Sequence, residues 1–304
     1  MIWPWVKRLA SSCPPQGKTG PKKELKLMTY NVWSREDVVV YKRMQAIADL
    51  VQTHDPDVIF FQEITPYIHS IFEKTAWWNK YHNSLQYPEE QATTKKQEDF
   101  CLLLSKVPLE NFARREFPNS PTSRGYLEAD INPDPATAMK PLRLATTQLE
   151  RPIPPASMNC LERQAQAKHA INSLSCAENV VFGGDMSWDD NTDGPFPSAA
   201  GWLDAWTQLK TCAFSDWTHD AIWNEEAVAF NGHVADYDYM RKRSDRFVCK
   251  LKDYKLSSIE RIGDHALGLH NYTRYYRSSK YQYYTNIYLK PSCHRGLVLT
   301  IFPA

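Results

Sequence analysis

Apolar and polar positions alternate between two periods along this chain. Leu25-Lys26-Leu27-Met28-Thr29-Tyr30 alternates like a strand and ends at Asn31. Met44, Ile47, Ala48 and Val51 then recur at helical spacing within Met44–Thr53, and His54-Asp55-Pro56-Asp57 stops that helix. Val58-Ile59-Phe60-Phe61-Gln62-Glu63 is a continuous apolar run, as expected of a strand buried on both faces, and it ends on a carboxylate. Thr65-Pro66 opens another helix, with Ile68, Ile71 and Phe72 on one face.

The pattern repeats downstream. Strands are predicted over 100–104, 126–131, 142–147, 179–185, 247–251 and 296–301, and helices over 161–174 and 202–209. The mixture predicts an α/β or α+β two-sheet sandwich in one domain over residues 25–304. Residues 1–24, rich in Ser, Pro, Gly and Lys, read as a disordered basic tail, with an organellar transit peptide as the alternative.

Composition narrows the function classes. Net charge is +1, so a nucleic-acid site must be a local patch. No run approaches the length of a membrane span, and no membrane association is expected. The seven cysteines are scattered and include no Cys-x-x-Cys pair, which argues against a zinc finger and for reduced, intracellular thiols.

Polar residues fall at or just past the strand ends. Glu63, after four apolar residues, needs a cation, a donor or solvent, and a Mg²⁺ ligand is its functional reading. Asp185, after Gly183-Gly184, has the position of a carboxylate that orients and deprotonates a water, or of an ordinary turn residue. Asp245, between Arg243 and Arg246, can hold a histidine in one tautomer, or belong to a solvated charge cluster. His294 precedes the last apolar strand and can act on a phosphoryl oxygen. Its rival is His265 in Gly263-Asp264-His265, which no apolar strand follows.

The ordered motifs Thr29-Tyr30-Asn31-Val32-Trp33, Phe61-Gln62-Glu63-Ile64-Thr65, Gly183-Gly184-Asp185-Met186 and Arg243-Ser244-Asp245-Arg246 resemble those of the endonuclease/exonuclease/phosphatase superfamily. Within it they look closest to the plant-type tyrosyl-DNA phosphodiesterase 2 group. The resemblance runs from about Leu25 to the C-terminus and implies a deoxyribonuclease I-like, four-layer α/β/β/α sandwich of the α+β class. It also implies a Mg²⁺-dependent hydrolase (Mn²⁺ being the alternative ion) that releases 5′-phosphotyrosyl adducts from DNA ends. Carried over by position, Glu63 holds the metal and Asn31 arranges the site. Asp185 positions the water, and Asp245 orients His294. Phe100, Arg124 and Trp217 fall where the family contacts substrate.

Three positions depart from the family pattern. Gln148 stands for a histidine, Ser187 for an asparagine and Cys293 for an aspartate. Phosphoryl transfer depends on positioning and charge stabilisation, and these changes remove a chargeable donor, an amide donor and a carboxylate. The expectation is a degenerate homologue: hydrolysis weak or lost, the cleft kept for nucleic-acid ends or a protein partner. The alternative is an active phosphodiesterase in DNA repair, with His265 or His169 compensating. A monomer in the nucleus is the accompanying expectation, with an organelle as the other compartment.

Overall fold

A computed structural model describes residues 24–87, 98–135, 139–153, 156–210, 217–220, 241–269, 273–277, 282–286 and 288–304. The predicted tail over 1–24 lies, except for Glu24, outside the described residues. In chain order the strands are β1 (Leu25–Asn31), β2 (Val58–Ile64), β3 (His82–Asn83), β4 (Phe100–Ser105), β5 (Glu110–Glu116), β6 (Gly125–Ile131), β7 (Leu142–Gln148) and β8 (Asn179–Asp185). They continue with β9 (Trp202–Asp204), β10 (His219–Asp220), β11 (Arg241–Lys242), β12 (Asp245–Lys250), β13 (Tyr254–Ile262), β14 (Thr273–Arg277), β15 (Gln282–Asn286) and β16 (Gly296–Pro303). The helices are α1 (Val40–His54), α2 (Pro66–Phe72), α3 (Cys160–Leu174) and α4 (Ala205–Leu209).

Two six-stranded sheets carry the fold, in the orders β13-β16-β1-β2-β4-β3 and β5-β6-β7-β8-β12-β9. Leu27, Phe60, Leu103, Leu144, Val181, Phe247 and Leu299 fill the space between them. Met28, Ile59 and Phe61 point the other way, with Met44, Ile47, Val51 and Phe72 of α1 and α2. On the far side of the second sheet, Ala145, Val180 and Phe182 pack with Ala167, Ala170 and Leu174 of α3. The layers therefore run α/β/β/α, as expected. Both faces of β2 are buried, which is why Val58–Phe61 reads as an unbroken apolar run.

The helix signals hold at both ends. Thr65 Oγ1 accepts from Ile68 N at 3.1 Å and Pro66 opens α2. Asp55, in a left-handed conformation, closes α1 before Pro56. One predicted element differs: 202–209 begins as strand β9, and only Ala205–Leu209 is helical, capped by Asp204. Strands β5 and β13 are absent from the hydrophobic pattern. Both are sheet edges, half-exposed and rich in charge (Arg114, Arg115, Glu116; Lys255, Glu260, Arg261), so neither needs an apolar run.

Each sheet has a parallel pair at its centre, β1 with β2 and β7 with β8. The registers end Asn31 opposite Gln62 and Gln148 opposite Asp185. A cross-sheet hydrogen bond, Gln62 Nε2 to Thr146 Oγ1 at 3.1 Å, holds these strand ends against each other. Gly183 and Gly184 lie within β8 rather than forming a turn. A Cβ on Gly183 would meet the Phe247 ring at 2.7 Å, and one on Gly184, at φ +152°, would meet Thr147 O at 2.1 Å. Gly184→Ala is therefore expected to lower stability by several kcal/mol, on the order of the largest single-site losses, measurable as the denaturation midpoint.

Candidate active site

The strand ends converge where the sheets meet. The pairing of β2 with β4 shifts register between Phe61 and Ile64, and Glu63 within that irregularity has φ +59°. A bulge of this kind re-aims a side chain, here out of the strand toward the other sheet. Asn31 Nδ2 then bridges Glu63 Oε1 at 3.1 Å and Asp185 Oδ2 at 3.0 Å. Gln148 Nε2 makes a second bridge to the same two atoms, at 2.8 and 3.3 Å. Asp245 opens β12 directly opposite Asp185 in register. Its Oδ2 lies 2.9 Å from His294 Nδ1, and His294 Nε2 lies 4.0 Å from Asp185 Oδ2. Asn31, Glu63, Gln148, Asp185, Asp245 and His294 thus form one cluster, and all are buried.

Charge decides the protonation pattern. Burial alone would lower the His294 pKa, but the Asp245 and Asp185 carboxylates outweigh it and raise it to about 9. His294 is consequently an imidazolium at neutral pH, with Nδ1 donating to Asp245. Burial works to raise the Glu63 and Asp185 carboxyls, yet the His294 cation and local donors hold both below the usual range. For Glu63 the donors include Ser34 N at 3.0 Å and Ser34 Oγ at 3.1 Å, both to Oε2. For Asp185 they are Ser244 Oγ at 2.6 Å and Ser187 N at 2.8 Å, both to Oδ1. Burial raises the Asp245 carboxyl, with the His294 cation opposing.

The donor set fits a hard divalent cation. The cluster sets the carboxylates of Glu63, Asp185 and Asp245 against the His294 cation, Lys242 lies near enough to help hold the Asp185 carboxyl down, and nearby Arg124 is offset by Asp99 at 3.1 Å. Three carboxylates beside one histidine cation form an oxygen-rich donor set, the chemistry that suits Mg²⁺ or Mn²⁺. Asp245 Oδ1, buried and without a hydrogen-bond partner among the described residues, is a further acceptor open to a ligand. Glu63 has four donors on its two oxygens, so a cation bound there displaces at least one of them.

The three departures from the family pattern all touch this cluster. Gln148 bridges Glu63 and Asp185, and its Oε1 accepts from Arg124. Ser187 sits at φ +48° with its N–H on Asp185. Cys293 is buried beside His294. The expected substrate contacts fare differently. Arg124 is tied to Asp99 and Gln148 at the cluster's edge. Trp217 is partly buried, and its backbone carbonyl accepts from Arg261 Nη1 at 3.1 Å, one residue from Thr218, which Asp245 N contacts. Phe100 is only 4% exposed and packs in the core beneath α1 and α2, because strand alternation turns it inward. It offers almost no surface to a base or a tyrosine.

The compensating histidines are elsewhere. His169 is exposed on α3, edge-on to Phe117. His265 is exposed in a groove against α1, with Lys42, Gln45 and Asp49. Arg243 and Arg246, a solvated charge cluster in one reading, are instead buried and share Asp204 at 2.8 and 3.1 Å. Sequence reasoning missed Ser34, Lys242 and His219. None stands in an apolar-bounded motif, and each reaches the site through a loop or a two-residue strand.

Comparisons with known proteins agree with this fold. The chain is 27% identical over 224 residues to the 5′-tyrosyl-DNA phosphodiesterase of Caenorhabditis briggsae, covering 71% of this chain and 58% of that protein. It thus spans a little over half the length of that curated relative. The structure of TDP2 from Caenorhabditis elegans superposes with a TM-score of 0.68 at 19% identity, over 92% of this chain and 74% of that one. D. rerio TDP2, complexed with single strand DNA product, gives 0.67 at 20% identity over 91% and 98% of the two chains. The human Nocturnin catalytic domain with bound sulfate gives 0.62 at 14% over 92% and 95%. These likenesses establish a shared fold. Residues 28–237, which hold every cluster residue except Asp245 and His294, match the model of the Endonuclease/Exonuclease/phosphatase family, and the chain belongs to that family.

Proposed function

We propose that this chain binds the 5′-phosphotyrosyl end of DNA, or a closely related phosphodiester, and hydrolyses it weakly. One observation carries the reading. The ends of the central strands of both sheets are joined in a single hydrogen-bond network, with a histidine cation whose Nε2 lies 4.0 Å from the Asp185 carboxylate.

Each residue has a part. His294, charged and held by Asp245, donates from Nε2 to a phosphoryl oxygen and draws negative charge toward the cluster. Asp185 orients the attacking water, and the Asn31 amide keeps Asp185 and Glu63 in fixed relation. Glu63, with Asp185 or Asp245, would hold a divalent cation, which supplies Lewis-acid stabilisation of phosphoryl charge. Gln148 limits the rate. Its amide is neutral and engaged by both carboxylates, so it brings no positive charge to the phosphate. On this reading the chain serves DNA repair, the nucleus is its expected compartment, and it acts as a monomer. DNA ends or a protein partner occupy the retained cleft.

The test is release of tyrosine from a 5′-phosphotyrosyl oligonucleotide in Mg²⁺ or Mn²⁺. Slow release is expected, lost on chelation and in Glu63→Ala or Asp185→Ala, while the oligonucleotide still binds. Rapid turnover would contradict the weak-hydrolase reading and favour a fully active enzyme, for which the intact Asp245–His294 pair speaks. Absence of both binding and release would remove the proposal.

A further inference from the structure

Beside the oxygen-rich cluster lies a second group of donors. His219 pairs through its backbone with His294 in an isolated antiparallel bridge, and Arg295 N donates to Thr218 O at 2.7 Å. The two imidazoles are thereby set side by side, centroids 4.8 Å apart and tilted by 48°. Cys293, next to His294 in sequence, completes the set: ligand atoms of His219, Cys293 and His294 all lie within 4.8 Å of one another.

The donor chemistry is that of a borderline-soft ion. Zinc takes imidazole nitrogen at about 2.0 Å and thiolate sulfur at about 2.3 Å, which puts neighbouring tetrahedral ligands roughly 3.3–3.7 Å apart. The present spacing exceeds this by about 1 Å, and the backbone bridge between His219 and His294 already holds the two histidines at this separation. A second, independent observation points to a ligand. His219 Nδ1 is buried and has no hydrogen-bond partner among the described residues, an arrangement that costs free energy unless something binds it. Asp245 behind His294 Nδ1 matches the carboxylate that orients a metal-bound histidine and frees its Nε2.

We propose that His219, Cys293 and His294 form a binding site for a thiophilic divalent cation of the Zn²⁺ class. Coordination releases the Cys293 thiol proton and the His294 Nε2 proton to solvent. The site stands on this donor geometry and not on the phosphodiesterase reading. Its occupancy engages the same His294 nitrogen that the reading assigns to phosphate, so the two uses exclude each other.

Cobalt is the probe. Titrating metal-free protein with Co²⁺ is expected to give one equivalent with a thiolate-to-cobalt charge-transfer band and the intense visible bands of four-coordinate cobalt. Zn²⁺ erases both and excess Mg²⁺ does not. Cys293→Ser removes the charge-transfer band, and His219→Ala weakens Co²⁺ binding at least about tenfold. Cys176→Ser and Glu63→Gln leave the spectrum intact, the latter separating this site from the oxygen cluster. A wild-type spectrum without the thiolate band, a band that survives Cys293→Ser, or displacement by Mg²⁺ would each overturn the proposal. Circular dichroism establishes that every variant is folded.

Discussion

Tyrosine release from a 5′-phosphotyrosyl oligonucleotide is expected to rise by about a hundredfold or more when Gln148→His, Ser187→Asn and Cys293→Asp are combined. The gain has three sources. A histidine at 148 would stand between the Glu63 and Asp185 carboxylates, where Gln148 now bridges them at 2.8 and 3.3 Å. Two such neighbours favour its protonated form, which turns a neutral donor into a cationic one. Ser187 occupies a left-handed backbone position at φ +48°, which asparagine tolerates better than serine, so its longer amide is added at little conformational cost. An aspartate at 293 returns a carboxylate to the edge of the Glu63–Asp185–Asp245 cluster. The three gains act on one unit and will not sum, so the triple variant is the informative one. Initial rates at saturating Mg²⁺ measure the effect. A triple variant that folds and binds DNA but stays inert would mean that the cleft is altered at other positions as well.

The second large effect concerns Arg43, which is fully buried in α1. Its five N–H groups all go to backbone carbonyls. Nε donates to Val38 O at 2.8 Å; Nη1 donates to Val32 O at 2.9 Å and Pro291 O at 3.3 Å. Nη2 donates to Trp33 O at 3.0 Å and Arg35 O at 2.5 Å, and the guanidinium lies 4.7 Å from the Trp33 ring. One side chain thus ties the loop after Asn31 to the segment leading to His294. Arg43→Met leaves these carbonyls without donors, and a loss of at least about 3 kcal/mol is expected. In a domain of this size that corresponds to a midpoint lower by roughly 6–12 °C. Arg43→Lys should recover little, since an ammonium has three donors and no planar fork. A melting curve of either variant close to that of the parent protein would refute this account.

Arg43 also shows where sequence reading reaches its limit. Helical spacing picks out Met44, Ile47, Ala48 and Val51 as the inner face of α1, and all four are buried. Nothing in that spacing marks Arg43 as buried too, because its role depends on carbonyls of a loop and of a segment 248 residues away. The same limit hid β5 and β13, whose edge positions excuse them from the apolar runs that betray the central strands.

What the sequence determined by itself was a two-sheet sandwich with flanking helices and the strand-end placement of Asn31, Glu63, Asp185, Asp245 and His294, the four-layer order being what the family resemblance implied. Both follow from local rules: continuous apolar runs make strands buried on two faces, and a polar residue ending such a run is left at the rim. What only the tertiary structure decided was which rim residues meet, and how. The register irregularity that swings Glu63 toward the second sheet, the inward turn of Phe100, the distance of His169 and His265 from the cluster, and the pairing of His219 with His294 are contacts between distant segments. Sheet register and the packing of one sheet on the other set them, and neither is written in the spacing of residues along a single strand.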